Sequence, residues 1–163
     1  MKHILSVFCL VLLSCSSSEP KSTDSGSSAY DEEKFKSEWD IWKDQDIKNY
    51  SFTLKASIDG NYEVAIIVKN GIMDSFKYTG KTPNGDLEPE YTSISDMYQK
   101  IYDNIKYDEI KIQESSKCSR FAEYETAYDQ KFHYIKNFEA IYGAYGCEGG
   151  SNRKLTVSNF SKN

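Results

Sequence analysis

Tyr128, Asp129 and His133 form the densest cluster of polar and aromatic side chains in this sequence. General acid–base catalysis would require His133 within hydrogen-bonding reach of a carboxylate and of a substrate. Asp129 lies four residues away, and Glu123 and Glu125 lie on the preceding predicted strand. The alternative is structural, because an aspartate between two strands commonly forms an Asx turn and would leave His133 solvated on one face.

Other catalytic and ligand-binding patterns are weak. The sequence holds no nucleophile elbow, no HExxH motif and no calcium-binding loop. Asp86, Glu88 and Glu90 alternate in one predicted loop, where they could contact a cation or a basic partner or form a solvated acidic surface. We predict no cofactor and no bound metal.

The N-terminus reads as an export signal. A single positive residue, Lys2, precedes an apolar run over residues 4–13, which is too short to span a bilayer and has the proportions of a secretory signal. Residues 12–15, Leu-Leu-Ser-Cys, resemble the bacterial lipobox. This resemblance implies cleavage after Ser14 and attachment of diacylglycerol to Cys15. The alternative is an ordinary cleaved signal with a coincidental cysteine.

Residues 16–29 hold seven serines in fourteen positions and cannot form a core. We therefore predict a signal peptide over residues 1–14, a lipidated Cys15 with a flexible tether to residue 29, and one globular domain over residues 30–163. The anchor places the protein in the cell envelope on a membrane, and Ser16 weakly favours the outer membrane, in a periplasmic or surface-exposed position, over the inner membrane.

Two cysteines remain in the predicted domain. Cys118 and Cys147 form an even pair in an exported protein, which favours a disulfide over two free thiols. The cross-link would stabilise the fold by roughly 3–4 kcal/mol on the loop-entropy model. A zinc site is disfavoured, because the sequence has no CxxC motif and His133 is the one histidine after the signal.

Composition limits the function classes. The 163 residues carry a formal charge of −5, with a pI of about 5.1 and a mean hydropathy of −0.65, which fits one water-soluble domain. An acidic chain is a poor match for nucleic acid, whose phosphates require a basic surface. Thirteen tyrosines and eight phenylalanines could build a core or, if several were exposed together on an open sheet face, a binding surface.

The first predicted helix spans Tyr30 to Asp46. Asp31 or a preceding serine can cap it, and Phe35, Trp39 and Trp42 form one apolar stripe at helical spacing. The stripe predicts that the two tryptophans lie in the core.

Three apolar runs then predict a β-meander, at residues 49–58, 61–69 and 72–78. Asp59-Gly60 and Asn70-Gly71 supply the tight turns between them.

After a loop over residues 79–91, Thr92 or Ser93 caps a second helix whose apolar positions recur from Ile94 to Ile105. Four short strands are predicted next, at residues 109–113, 120–128, 133–142 and 154–160. The glycine-rich segment 143–150 reads as a turn held by the disulfide. The order α-βββ-α-ββββ predicts an α+β fold, with a mostly antiparallel sheet and two helices packed on one face.

Several short motifs occur in a characteristic order: Trp39-x-x-Trp42, Ile47-x-Asn49-Tyr50-x-Phe52, Val68-Lys69-Asn70-Gly71, a helix start at Ser93 to Tyr98, and Tyr128-Asp129. Together they resemble the bacterial lipoproteins of domain of unknown function 6174, over about Lys34 to Phe160. The chain departs from that pattern at His133, Ile135 and Phe138, where the family usually has glycine, proline and an aliphatic residue. The resemblance implies a fold and an envelope location but no activity.

These observations favour a lipid-anchored binding module that recognises an envelope protein or glycan through its sheet face or loops. A membrane is its predicted partner through Cys15, and nucleic acid is not. The alternative is an envelope-polymer hydrolase or transferase that uses Asp129 and His133 as an acid–base pair. A third possibility is a surface lipoprotein that contacts a host.

Overall fold

A computed structural model describes residues 28–57, 61–80, 87–114, 119–145 and 150–163. The signal peptide, Cys15, most of the predicted tether, Asp59-Gly60, Asp86, Cys118 and Cys147 lie outside the described residues. The elements are β1 (Ser28–Ala29), α1 (Glu32–Asp44), β2 (Tyr50–Ser57), β3 (Asn61–Lys69), β4 (Ile72–Tyr78), α2 (Ile94–Glu114), β5 (Ser119–Tyr128), β6 (Ile135–Tyr145) and β7 (Ser151–Lys162).

The predicted α+β class is confirmed. The described strands form one sheet in the order β1-β5-β6-β7-β2-β3-β4, and every pairing is antiparallel except the short one between β1 and β5. The predicted meander is present as β2, β3 and β4. The last strand of the chain, β7, lies in the middle of the sheet, where it joins the meander to the β5–β6 hairpin.

One predicted strand is wrong. Residues 109–113 belong to α2, which continues without a break to Glu114. The helical face extends past Ile105 to Ile112, one heptad later, and Ile112 is buried. Lys106 and Glu109 also form an ion pair at a spacing that only a helix brings together. Within the residues that the structure describes, three strands, not four, therefore follow α2.

The chain enters the sheet earlier than expected. Ser28 and Ala29, which the sequence assigns to the tether, pair with Ala122 and Glu123 of β5. This two-residue strand runs parallel to β5, so the chain enters β1 at the end of the sheet where β5 begins.

The core lies between the two helices and one face of the sheet. Phe35 and Trp42 of α1 are buried there, as predicted, and Trp39 packs at its edge. Asp31 caps α1, since its carboxylate accepts a hydrogen bond from the backbone N–H of Lys34 at 2.9 Å. Burial alternates along β2 and β3, which is the pattern of strands with one covered face.

The tyrosines belong to this core and not to an open sheet face. All tyrosines whose side chains are described are buried or pack against the core, except Tyr107, which is 60% exposed on α2. On the opposite face, strand positions are largely charged or hydroxylated, such as Lys55, Lys77 and Ser75. Of the two alternatives that the tyrosine content left open, the described residues therefore show the core and not a tyrosine-rich open face.

Candidate functional site

Asp129 forms the Asx turn that joins β5 to β6. Its Oδ1 accepts hydrogen bonds from the backbone N–H groups of Lys131 at 3.0 Å and Phe132 at 2.8 Å. Its own N–H donates to the carbonyl of Tyr134 at 2.9 Å. The carboxylate is thus used within the turn.

His133 faces helix α1 and not Asp129. Its Nδ1 lies 2.7 Å from Oε2 of Glu38, while its backbone N–H donates to the carbonyl of Asp129 at 3.0 Å. The backbone of His133 is left-handed, with φ of 56°, and its carbonyl accepts a hydrogen bond from the hydroxyl of Tyr98. The proposed Asp129–His133 acid–base pair is therefore not formed by the side chains.

Tyr128 lies where α1 packs against the end of β5. Its ring packs against the core beneath Lys34, whose Nζ is 5.9 Å from the ring centroid. Burial raises the pKa of the Tyr128 hydroxyl above its usual value. Gln45, at the end of α1, donates from Nε2 to the carbonyl of Phe132 at 2.8 Å. Tyr128 and His133, which the sequence marked as candidates for chemistry, therefore contact α1 and hold it against the β5–β6 turn.

Glu38 is the partner that sequence reasoning missed. It lies 95 residues before His133 on the chain. Nothing in the local spacing of a helical glutamate connects it to a turn so far along the sequence.

Of the three acidic loop residues, Glu88 and Glu90 are described, and Asp86 lies outside the described residues. Glu88 and Glu90 are exposed, and the carbonyl of Glu90, not its carboxylate, accepts a hydrogen bond from Lys100. Across the described ranges, no three histidine, cysteine, aspartate or glutamate side chains come together in a way that could hold a metal ion.

A cavity of about 510 Å³ opens at the other end of β5. From Arg120 to Asp129 the strand spans nine residues, or about 30 Å at the usual rise, so the cavity is remote from His133. Its walls come from the last turns of α2 and from the neighbouring ends of β5, β6 and β7. They are lined by Asp108, Lys111, Ile112, Arg120, Phe121, Tyr142, Gly143, Ala144, Gly150, Ser151 and Arg153.

Asp108 organises one wall of this cavity. Its Oδ2 accepts hydrogen bonds from the hydroxyls of Tyr124 at 3.0 Å and Tyr142 at 2.9 Å. Burial and the adjacent Asp108 carboxylate raise the pKa of Tyr142, so both phenols remain protonated donors. A single carboxylate thereby ties α2 to two strands.

Arg120 and Arg153 are the two arginines of the entire chain, and both line this cavity. In the described part of the protein, neither guanidinium has a carboxylate within 4.0 Å, whereas several lysines there do, such as Lys100 and Lys106. The Arg153 guanidinium carbon lies 5.8 Å from the ring centroid of Tyr142, a cation–π distance. The rarity of arginine among the twenty basic residues is the sequence signal that could have marked these two side chains.

The strand register fixes the relative positions of Arg120, Tyr142 and Arg153 on the sheet. Tyr142 pairs with Ala122, two residues after Arg120, and Arg153 pairs with Ala140, two residues before Tyr142. All three therefore share one face, with Tyr142 on the diagonal between the arginines. Strand geometry separates the two arginine Cα positions by about 16 Å.

The sequence model of the family of unknown function DUF6174 matches residues 34–139, which is more than half of the chain. The chain belongs to this family. The predicted resemblance to this family is thus confirmed over residues 34–139, whereas the prediction extended to Phe160. Comparison of the chain with curated proteins and with solved structures finds no match.

The DUF6174 match contains α1 from Lys34 onward, the β5–β6 turn and Arg120, whereas Tyr142 and Arg153 lie after it. The cavity is thus built partly outside the matched region. Of the two helices in the described part of the DUF6174 protein, neither is long and apolar enough to cross a membrane.

Proposed function

We propose that this protein is a lipid-anchored lipoprotein of the bacterial cell envelope, and that its DUF6174 domain is a binding module. The anchor is Cys15, and the module recognises an envelope protein or glycan. The observation that carries this proposal is the cavity formed by α2, β5, β6 and β7. Its volume lies within the range of about 300–1,000 Å³ that is usual for ligand sites.

Binding is favoured over the hydrolase or transferase alternative. The carboxylate of Asp129 accepts two backbone hydrogen bonds inside its own turn. The imidazole of His133 pairs with Glu38, about 30 Å from the cavity. The residues that an acid–base mechanism would use thus serve the packing of α1, and they do not face the site with room for a ligand.

The anchor can be tested separately from the site. Cells expressing the protein are labelled with a fatty-acid analogue, and the membrane fraction is isolated. We expect Cys15→Ala to lose both the label and membrane association, while Cys9→Ala, within the same predicted signal peptide, keeps both. Retention of the label by Cys15→Ala would refute lipidation at this residue.

The binding site is tested by photo-cross-linking in intact cells. A photoreactive residue replaces Ser151, which lines the cavity, or Ser75, which is exposed on β4. We expect one discrete product from position 151, none from position 75, and loss of the product when Ala144→Met fills the cavity. Equal products from both positions, or a product that survives Ala144→Met, would contradict the proposal.

A further inference from the structure

The cavity lies at the end of the sheet where the chain enters the domain. Ser28 pairs with Ala122, two residues after Arg120, and β1 runs parallel to β5. Under the proposed function, the twelve residues 16–27 join the lipid on Cys15 to β1. A chain of that length spans at most about 40 Å when fully extended. The lipid is therefore attached at this end of the sheet, and the Asp129 end lies about 30 Å further along β5.

The same end carries the exposed apolar side chains of α2. Tyr107 and Ile110 are 60% and 53% exposed, and both lie in the last two turns of the helix. The ammonium group of Lys111 lies 5.6 Å from the ring centroid of Tyr107. Tyrosine and aliphatic side chains beside a cation suit a membrane–water interface, where part of a side chain is wet and part is apolar.

Arg120 and Arg153 are the side chains in this cavity that are best suited to bind a phosphate. Guanidinium groups match the oxygens of phosphate with paired N–H donors, and lysine cannot reproduce this geometry. Among the described residues that line the cavity, three carry a basic side chain and one carries an acidic side chain, in a chain of formal charge −5. Arg120 and Arg153 lie on either side of Tyr142 on the same sheet face, and both border the cavity.

We propose that the cavity binds the phosphate of an anionic lipid headgroup through Arg120 and Arg153. This inference rests on the proposed function, because the anchor at Cys15 brings the cavity to the membrane. The phosphate is the recognised group, and the tether geometry favours lipid over free phosphate as its source. Binding would hold the domain in a defined orientation on the bilayer and would set which surfaces face a partner.

The test uses the full-length protein in neutral detergent. Isothermal titration calorimetry measures the affinity for short-chain phosphatidylglycerol, short-chain phosphatidylcholine and inorganic phosphate. The variants are Arg120→Gln with Arg153→Gln and, as a control of equal charge change, Lys55→Gln with Lys77→Gln on the opposite sheet face. Arg120→Lys with Arg153→Lys keeps the charge if the glutamine pair fails to fold.

We expect phosphatidylglycerol to bind more tightly than the other two probes. The arginine-to-glutamine pair should lose at least about tenfold in affinity, as expected for a lost charge-assisted contact. The lysine control should stay within about twofold of wild type, and the arginine-to-lysine pair should fall between wild type and the glutamine pair.

Equal affinities in wild type and both glutamine pairs, or equal losses in both, would overturn the arginine site. Arginine-dependent binding of inorganic phosphate alone would support the phosphate chemistry and overturn the lipid source. Because these titrations are made in detergent, they do not depend on lipidation. A failure of the Cys15 experiment is therefore distinguishable from a failure of the phosphate site.

Discussion

The imidazole Nδ1 of His133 lies 2.7 Å from Oε2 of Glu38, a contact between the β5–β6 turn and the middle of α1. Both side chains are partly buried, at 30% and 20% exposed. A second bond, from Gln45 to the carbonyl of Phe132, joins the same two elements nearby. The histidine that the sequence marks as a candidate for chemistry is therefore part of the contact between the first helix and the sheet.

A double-mutant cycle tests that contact. Asparagine tolerates the left-handed backbone at position 133, so His133→Asn removes the imidazole with little backbone strain. We expect Glu38→Gln and His133→Asn to be coupled by about 0.5–1 kcal/mol in the free energy of urea unfolding. The control cycle combines His133→Asn with Glu33→Gln, because Glu33 is an exposed glutamate on the same helix. Additivity in both cycles would show that the pair contributes nothing.

The Asx turn makes a second prediction. Asp129→Ala removes the acceptor for two backbone N–H groups and should lower the free energy of unfolding by about 1–2 kcal/mol. Asp129→Asn keeps an oxygen in the same place and should cost about 0.5 kcal/mol or less. Chemical denaturation of both variants measures the difference. Equal losses would mean that the negative charge, and not the turn geometry, is what matters.

The two phenols at the cavity wall depend on one acceptor. In Asp108→Ala, the partly buried hydroxyls of Tyr124 and Tyr142 lose their partner, so we expect a loss of about 1–3 kcal/mol in unfolding free energy. Asp103→Ala is the matched control, because its exposed carboxylate on the same helix contacts Gln99 and should cost about 0.5 kcal/mol at most. Similar losses of unfolding free energy in the two variants would show that the hydrogen bonds from Tyr124 and Tyr142 to Asp108 do not stabilise the fold.

Glu32 should make stability depend on acidic pH. Hydrogen bonds from Lys106 and Lys36 lower the pKa of Glu32 from 4.5 to about 2. A lowered folded-state pKa stabilises the protein above pH 4.5, and this contribution disappears as the pH falls toward 2. Urea unfolding at several pH values should show the largest difference between wild type and Glu32→Gln above pH 4.5, and this difference should shrink as the pH falls from 4.5 toward 2. A gap that is constant with pH would contradict the prediction, and Glu33→Gln is the control.

The buried tyrosines should make stability depend on alkaline pH. Burial raises the pKa of Tyr62 to about 12 and those of Tyr98 and Tyr124 further still. A folded-state pKa above the ordinary value of 10.0 stabilises the protein below pH 10 and loses this effect as the pH rises through the folded values. We expect phenolate absorbance to rise in a cooperative step that coincides with the loss of near-ultraviolet circular dichroism. Gradual ionisation of most tyrosines near pH 10 with the fold intact would contradict this.

Local pattern was sufficient for most of the secondary structure. The bounds of β3 and β4 and the Asp31 cap follow from residues adjacent in sequence, because turn dipeptides, alternation and capping are local effects. Residues 109–113 were misassigned to a strand, although Ile112 keeps the seven-residue spacing from Ile105. The extension of α2 to Glu114 depends on the burial of Ile112, which is a tertiary contact and overrides local propensity.

The sequence by itself determined the class of the fold, the core stripe of Phe35 and Trp42, and the family. It could not determine which distant side chains meet. Three relationships depend on contacts between residues far apart in the chain: the pairing of Glu38 with His133, the bridging of Tyr124 and Tyr142 by Asp108, and the shared cavity of Arg120 and Arg153. Helix packing and strand register decide such contacts, because both depend on burying apolar surface across the whole domain.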